Sequence, residues 1–477
     1  MIQPTLPEPS STPELHTADA VPVRPPAHFD RADWLSAGVA SAVMFLVYAG
    51  SLALEVTLAN SGMLATGAFY AGVPSVPGYP AWVLYSWLFA NLIPFGSVAW
   101  RVALGSALAS AVTCGLLALL TCRLGKHLFA DSPRLARLSD PDQGRLRAAC
   151  GSLAALGFGL SDPVWSQAVI VETWAMTNLL VALILVLLLR WALSPQSKRF
   201  LLATVFAFGL LLTNAQQMVV LAPAIAGLVL LVQPRLGRDF AWSFLPLVAL
   251  VMLPSGFPVY ESVFGEFNLP LLAAFALPLA AGMVVVWLSR AFGSHWKFCG
   301  LAGALLLAGL PLYLFPGLAS LTNPPANWAY PRDVSGFWHM FQRGQFERVV
   351  PVKNVALFTA QMKLLLLTTA AKLGWHYAVF ALLPVVGVFW LSRNGRCWMG
   401  AVLLVWLCAG PLLLSLINPP VELGGTHQMM LYFAPAMMPA ACLTGWGLML
   451  CAALLVTDRT AEPKCVGAGS GGAGPRK

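Results

Sequence analysis

Charge is what this sequence has least of. Asp, Glu, Lys and Arg together make up 10% of its 477 residues, against about 25% in an ordinary soluble domain. A soluble core cannot bury the 58% of the chain that is hydrophobic, because surface falls too slowly with size. Other things are missing too. No His-rich tract and no Cys-x-x-Cys pair marks a metal centre, and no phosphate loop with its lysine marks an ATPase. The nine cysteines (114, 122, 150, 299, 397, 408, 442, 451 and 465) fall within apolar runs or beside basic loops, so they read as small packing residues and not as a disulfide framework.

What the chain does have is a series of long apolar runs. They lie near 34–54, 101–122, 148–166, 173–193, 200–214, 217–233, 239–257, 269–289, 298–318, 374–392, 398–416 and 430–454. At 1.5 Å per residue most of them suffice to cross about 30 Å of hydrocarbon. The expected fold class is therefore an all-α polytopic membrane protein of about twelve transmembrane helices, occupying 34–456. Proline-rich 1–33 and glycine-rich 457–477 read as disordered tails. Two apolar stretches, 80–95 and 354–371, sit in the long connections 55–100 and 319–373 and read as interfacial helices.

Basic residues give an orientation. Arg123, Lys126, Arg134, Arg137, Arg145 and Arg147 crowd one loop, and Arg190, Lys198, Arg199, Arg235, Arg238, Arg290, Lys297, Arg393 and Arg396 recur in alternate loops. Placing them all on the cytoplasmic side puts both termini there as well. The net charge of +9 then follows from topology, and no nucleic-acid partner is implied.

The helix interiors look almost free of charge, whereas a carrier usually keeps ionisable groups inside its spans. Polar and aromatic residues gather at the outer helix mouths, which favours a surface enzyme acting on a lipid-borne substrate over a transporter or flippase. Four clusters stand out. The first runs from Glu55 through Asn60-Ser-Gly and Gly72-Val-Pro-Ser75-Val-Pro-Gly-Tyr79-Pro80 to Trp100-Arg101. The second is Trp165-Ser-Gln167 with Glu172 and Asn178; in a continuous helix Trp165 and Glu172 share a face. The third is Thr213-Asn214-Ala-Gln216-Gln217. The fourth holds Asn323-Pro-Pro-Ala-Asn327-Trp328-Ala-Tyr330-Pro-Arg332, Gly336-Phe-Trp338-His339 and Arg343-Gly-Gln345.

These clusters resemble the bacterial relatives of the transmembrane protein O-mannosyltransferases, within the GT-C superfamily of polytopic glycosyltransferases. The family pattern runs DSGE, GxxHPPGYP, WR with a following SAL, FWSQAVxxExYxxN, a TNHH-like helix end, and NPPxNWGxPR followed by GFWHxxxRGQ. The resemblance spans about 45–350, with weaker echoes to about 450. Departures stand beside the matches: DSGE is Asn60-Ser-Gly-Met63 here, the HPPGYP histidine is Ser75, and the paired histidines are Ala215 and Gln216.

The resemblance implies a GT-C-like fold in a bacterial inner membrane. It implies transfer of a sugar, mannose being one choice, from a polyprenyl-phosphate carrier to the hydroxyl of an unidentified acceptor at the periplasmic face. Such chemistry needs no bound cofactor; the lipid-linked sugar is the donor substrate. It needs a general base and a group that stabilises the departing phosphate. Asn60 cannot be the base, since an amide has no useful basicity. The surviving outer carboxylates are Glu55, Asp162, Glu172, Glu261, Glu266, Asp333, Glu347 and Glu422, with Glu172 and Glu55 the leading catalytic choices. Asn60, Tyr79, Arg101, Trp165, Gln167, Asn214, Trp328, Arg332, His339 and Arg343 are the candidate substrate contacts. Loss of the family Asp and His keeps a second reading open, a catalytically impaired homologue that binds lipid-linked sugar or a partner.

Overall fold

The computed structural model describes residues 28–57, 60–128, 130, 134–252, 280, 282–284, 287–288, 295–344, 352, 354–390, 393–421 and 423–455. The tails 1–27 and 456–477, Cys465, most of the run 269–289, and Glu261, Glu266, Gln345, Glu347 and Glu422 lie outside them. Helix is the dominant structure. Among the described residues the only β pairing is an isolated parallel bridge between Val73 and Asn327. In hydrocarbon each backbone N–H and C=O must be satisfied within its own segment, which is why apolar runs of this length become helices.

The helices are α1 (Arg31–Gly50), α2 (Ser61–Phe69), α3 (Pro80–Leu92), α4 (Val98–Leu128), α5 (Asp140–Gly159), α6 (Asp162–Ala168), α7 (Trp174–Ala192), α8 (Arg199–Asn214), α9 (Ala222–Val232) and α10 (Pro234–Met252). After the partly described 280–294 come α11 (Trp296–Gly309), α12 (Leu314–Leu321), α13 (Val334–Phe341), α14 (Val355–Leu373), α15 (Trp375–Val386), α16 (Arg393–Leu407), α17 (Leu413–Ile417) and α18 (Leu423–Leu455). Seven described segments have the length and apolarity to cross a membrane: Arg31–Gly50, Val98–Leu128, Trp174–Ala192, Trp296–Leu321, Val355–Leu373, Arg393–Ile417 and Met430–Leu455. Three shorter ones, Arg199–Asn214, Gln216–Val232 and Trp375–Val386, are apolar as well. The chain is thus an all-α membrane-embedded protein.

Central α4 packs against α1, α5 and α7. Small residues allow the approach: a Cβ at Gly151 would meet the Ala118 carbonyl oxygen at 2.9 Å, and one at Gly159 would meet the Tyr48 hydroxyl at 2.9 Å. That hydroxyl donates to the Gly159 carbonyl at 2.8 Å, so α1 and α5 are locked together at one end of the bundle. The eight described cysteines are free, and all but Cys397 and Cys451 are buried.

Three expectations need correction. First, the run 148–166 is not one helix. It breaks at Leu160–Ser161, where Pro163 starts α6, and α6 itself ends before Glu172, so Trp165 and Glu172 share no helix face. Second, α1 begins inside the stretch expected to be unstructured: the Asp30 side chain accepts from Ala32 N and Asp33 N, and the Asp33 side chain accepts from Asp30 N, a reciprocal N-cap. Third, charge is buried where an unstructured tail and a solvated loop were expected. Asp33 is fully buried and lies 3.7 Å from both Arg123 and Arg147, while Asp30 pairs with Lys126 at 3.3 Å and Arg147 at 3.2 Å.

Helix α14, expected to be interfacial, is long and apolar enough to span. Val352 N, just before it, donates to the Ser415 carbonyl. Gln361 donates to the Asn418 side chain at 2.9 Å and to the Pro419 carbonyl at 2.7 Å. Lys372 at its far end pairs with Asp162. Val352 and Gln361 thus hold α14 to the C-terminal end of α17, and Lys372 holds it to the start of α6, on the side of the bundle away from the basic loops.

Candidate functional site

Two long connections are stitched together at this same end. The Val73 N–H donates to the Ala326 carbonyl at 2.7 Å, and Trp328 N donates to the Val73 carbonyl at 2.9 Å. Gly72 is required here because a Cβ would collide with the Ala326 carbonyl oxygen. A small apolar core of Val73, Val76, Ala319 and Met340 seals the contact. A Cβ at Gly78 would press on Pro316 at 2.8 Å, and the residue's φ of +93° suits glycine alone. The third cluster joins through Gln216, which donates to the Phe341 carbonyl at 3.1 Å.

A small pocket opens where these elements meet, lined by Pro77, Tyr79, Thr173, Trp174, Thr177, Asn214, Ala215, Gln217, Arg343 and Tyr432. Two of its walls rest on uncommon backbone: Tyr79 has φ +44° and Arg343 φ +57°, the left-handed region that non-glycine residues rarely occupy. Asn214 is buried, and its amide donates to the Thr177 hydroxyl at 2.8 Å and to the Thr173 carbonyl at 3.3 Å. Its Oδ1 has no partner, so an acceptor is held ready beside the pocket. Trp174 and Tyr432 meet edge to face, with ring centres 4.8 Å apart.

Glu172 is not a lining residue but directly precedes one, Thr173. Its carbonyl accepts from the Trp82 indole at 3.0 Å, and its carboxylate accepts from Thr173 N at 3.2 Å. Burial pushes its carboxyl up to about 7 against the opposing Thr173 N–H. Tyr79 lies in its field: burial pushes the phenol up to about 12, Arg343 pulls it down, and Tyr432 and Glu172 add to the rise. A guanidinium and two phenols thus line one small space, with a carboxyl poised near neutrality close by. Among the described residues no three His, Cys, Asp or Glu side chains gather as metal ligands.

Of the residues singled out from sequence, Tyr79, Asn214 and Arg343 line the pocket and Glu172 lies beside it. The others do not line the pocket. Glu55 is exposed in the loop after α1, and Asn60 is exposed at the start of α2 without a capping bond from its side chain. Arg101 is spent on the Ile93 carbonyl at 2.9 Å and the Ser97 carbonyl at 3.4 Å. Trp165 donates to the Ser51 hydroxyl at 3.1 Å, and buried Gln167 donates to the Ser166 hydroxyl. Trp328 contributes backbone to the stitch; Arg332 holds Asn323 at 2.9 Å and stacks on Tyr330; His339 is exposed on α13. Sequence reasoning missed Thr173, Thr177 and Tyr432. The two threonines are four apart on one helix face, a signal that was there to be read. Tyr432 lies in a run that reads as packing.

With this geometry in view, comparison with known proteins becomes informative. Residues 60–236 match the model of the protein O-mannosyl-transferase TMEM260 N-terminal domain. The mouse protein O-mannosyl-transferase TMEM260 is 35% identical over 164 residues. In this region the chain is O-mannosyltransferase-like. The aligned part is 34% of this chain and 20% of the mouse protein, so the chain spans about a fifth of the length of the curated relative it matches. No solved structure matches. Eight pocket-lining residues, Pro77 to Gln217, fall inside the O-mannosyltransferase-like segment, whereas Arg343 and Tyr432 come from beyond it.

Proposed function

We propose that the chain is a glycosyltransferase of GT-C-like, roughly twelve-helix architecture. In this reading it moves a sugar, mannose first among the choices, from a polyprenyl-phosphate carrier to an acceptor hydroxyl. The site faces the periplasm of a bacterial inner membrane, and both termini are cytoplasmic. The observation that carries the proposal is the meeting of Tyr79, Asn214 and Arg343 at one pocket with Glu172 beside it; Arg343 apart, these residues lie within the segment that resembles an O-mannosyl-transferase. As general base, Glu172 takes the proton from the acceptor hydroxyl while that oxygen forms a bond to the anomeric carbon. The bond from that carbon to the carrier phosphate breaks, and polyprenyl phosphate leaves with the electron pair. Arg343 supports the growing negative charge on the phosphate, and Asn214 Oδ1 accepts from a sugar hydroxyl. A base that is about half ionised at neutral pH suits such a proton transfer.

The test is purified protein incubated with a panel of polyprenyl-phosphate sugars, with release of lipid phosphate as the readout. One observation favours a second reading. Where the family pattern carries two carboxylates, this chain has Asn60 and Met63. In that reading the pocket binds lipid-linked sugar without turning it over, so tight binding with no release of lipid phosphate from any donor would select it.

A further inference from the structure

The far end of the bundle carries cations in two different arrangements. Around α1 they are matched: Arg123, Lys126 and Arg147 share Asp30 and Asp33. Where α7 ends and α8 and α11 begin, they are not. The Arg190 and Arg199 guanidinium carbons lie 4.3 and 5.0 Å from the centre of one ring, Phe200. Lys198 stands over Phe298 at 5.2 Å, and Lys297 over Trp296 at 5.7 Å. Arg190 Nη1 is buried without a hydrogen-bond partner, and neither Arg190 nor Arg199 has a carboxylate partner among the described residues. The carboxylate near this rim is Asp239, and it is already committed to Arg238 at 2.6 Å and to His295.

Like charges sharing one ring repel each other. A ring attracts a cation through its face only, so the N–H edges of both guanidiniums remain available for an anion, and planar forks of this kind suit phosphate oxygens. We propose that Arg190 and Arg199, supported by Lys198 and Lys297, bind the phosphate of an anionic phospholipid headgroup. A lipid fits better than a soluble ion because Phe200, Phe298 and Trp296 are half-buried at the ends of membrane helices, the depth at which aromatic belts meet headgroups. The site is independent of the pocket at the other end.

The test is native mass spectrometry and thermal unfolding of the detergent-purified chain with phosphatidylglycerol, phosphatidylcholine or inorganic phosphate added. Phosphatidylglycerol is expected to bind and raise the melting temperature while the other two do not. Arg190→Gln with Arg199→Gln is expected to weaken phosphatidylglycerol about twenty- to thirtyfold, and exposed Arg199→Gln alone, which leaves the core untouched, about fivefold. Arg145→Gln, whose guanidinium already pairs with Asp142 at 3.0 Å, is expected to leave binding unchanged. Equal stabilisation by phosphatidylcholine or by inorganic phosphate would overturn the proposal, as would unchanged phosphatidylglycerol affinity in the Arg199→Gln variant.

Discussion

Glu172 shows how one residue acquires a role from its surroundings. As a lone carboxylate beside an apolar run it has no distinguishing feature; burial beside the pocket raises its carboxyl to about 7. Glu172→Gln is expected to lower transfer about 10²- to 10⁴-fold, read as lipid phosphate released per minute, whereas Glu55→Gln on the exposed loop leaves the rate unchanged. Because the base acts ionised, the wild-type rate should rise with pH through about 7. Stability runs the other way. A carboxyl raised from 4.5 to about 7 on folding contributes stability that is full below 4.5 and lost as pH rises through about 7. Thermal unfolding across that range should slope downward for the wild type and be flatter for Glu172→Gln. A flat wild-type rate profile between pH 6 and about 8 would remove Glu172 from the role of base.

Among the elements, α1 and α14 carry the most testable geometry. Buried Asp33 fastens α1 to Arg123 and Arg147, and breaking a buried pair costs about 3 kcal/mol or more. Asp33→Asn should therefore lower the melting temperature in detergent clearly, while the exposed Asp142→Asn should not. For α14 the question is where its ends lie. With cysteines introduced at Asn354 and at exposed Ala371, an impermeant maleimide applied to intact cells should label both positions or neither. Labelling of one and not the other would make α14 a spanning helix after all. Hydropathy cannot make this distinction, because a largely apolar helix of 19 residues meets the length requirement whether it stands upright or lies flat.

At the scale of the whole molecule the expectation is polarity. Exposed Cys397 begins α16 at the end that holds the basic residues, and Glu55 lies in the loop at the opposite end. With Cys397 the reporter on one side and Glu55→Cys on the other, an impermeant thiol reagent should reach only the second from outside. Modification of Cys397 in intact cells would invert the proposed orientation. Buried Cys122 is unsuited to this test, since burial in the α4 interior blocks any reagent.

The sequence by itself determined the class of molecule, because hydrocarbon tolerates only self-satisfied backbone. It also held Tyr79, Glu172 and Asn214, within the segment 60–236 that matches an O-mannosyl-transferase family model, and Arg343 beyond it. Only the tertiary structure decided which motif residues meet. Arg101 and Trp165 stand in equally well-matched motifs, yet their polar groups are consumed by the Ile93 carbonyl and the Ser51 hydroxyl. Tyr432, from a run with no local signal, reaches the pocket because α18 packs beside α7. The buried Asp33 network was equally hidden, since Asp33 reads as the end of an unstructured tail until the helix carrying Arg123 is laid against it. Local pattern reports what a residue is able to do; the neighbours that use up or leave open its hydrogen bonds are set by chain segments far away in sequence.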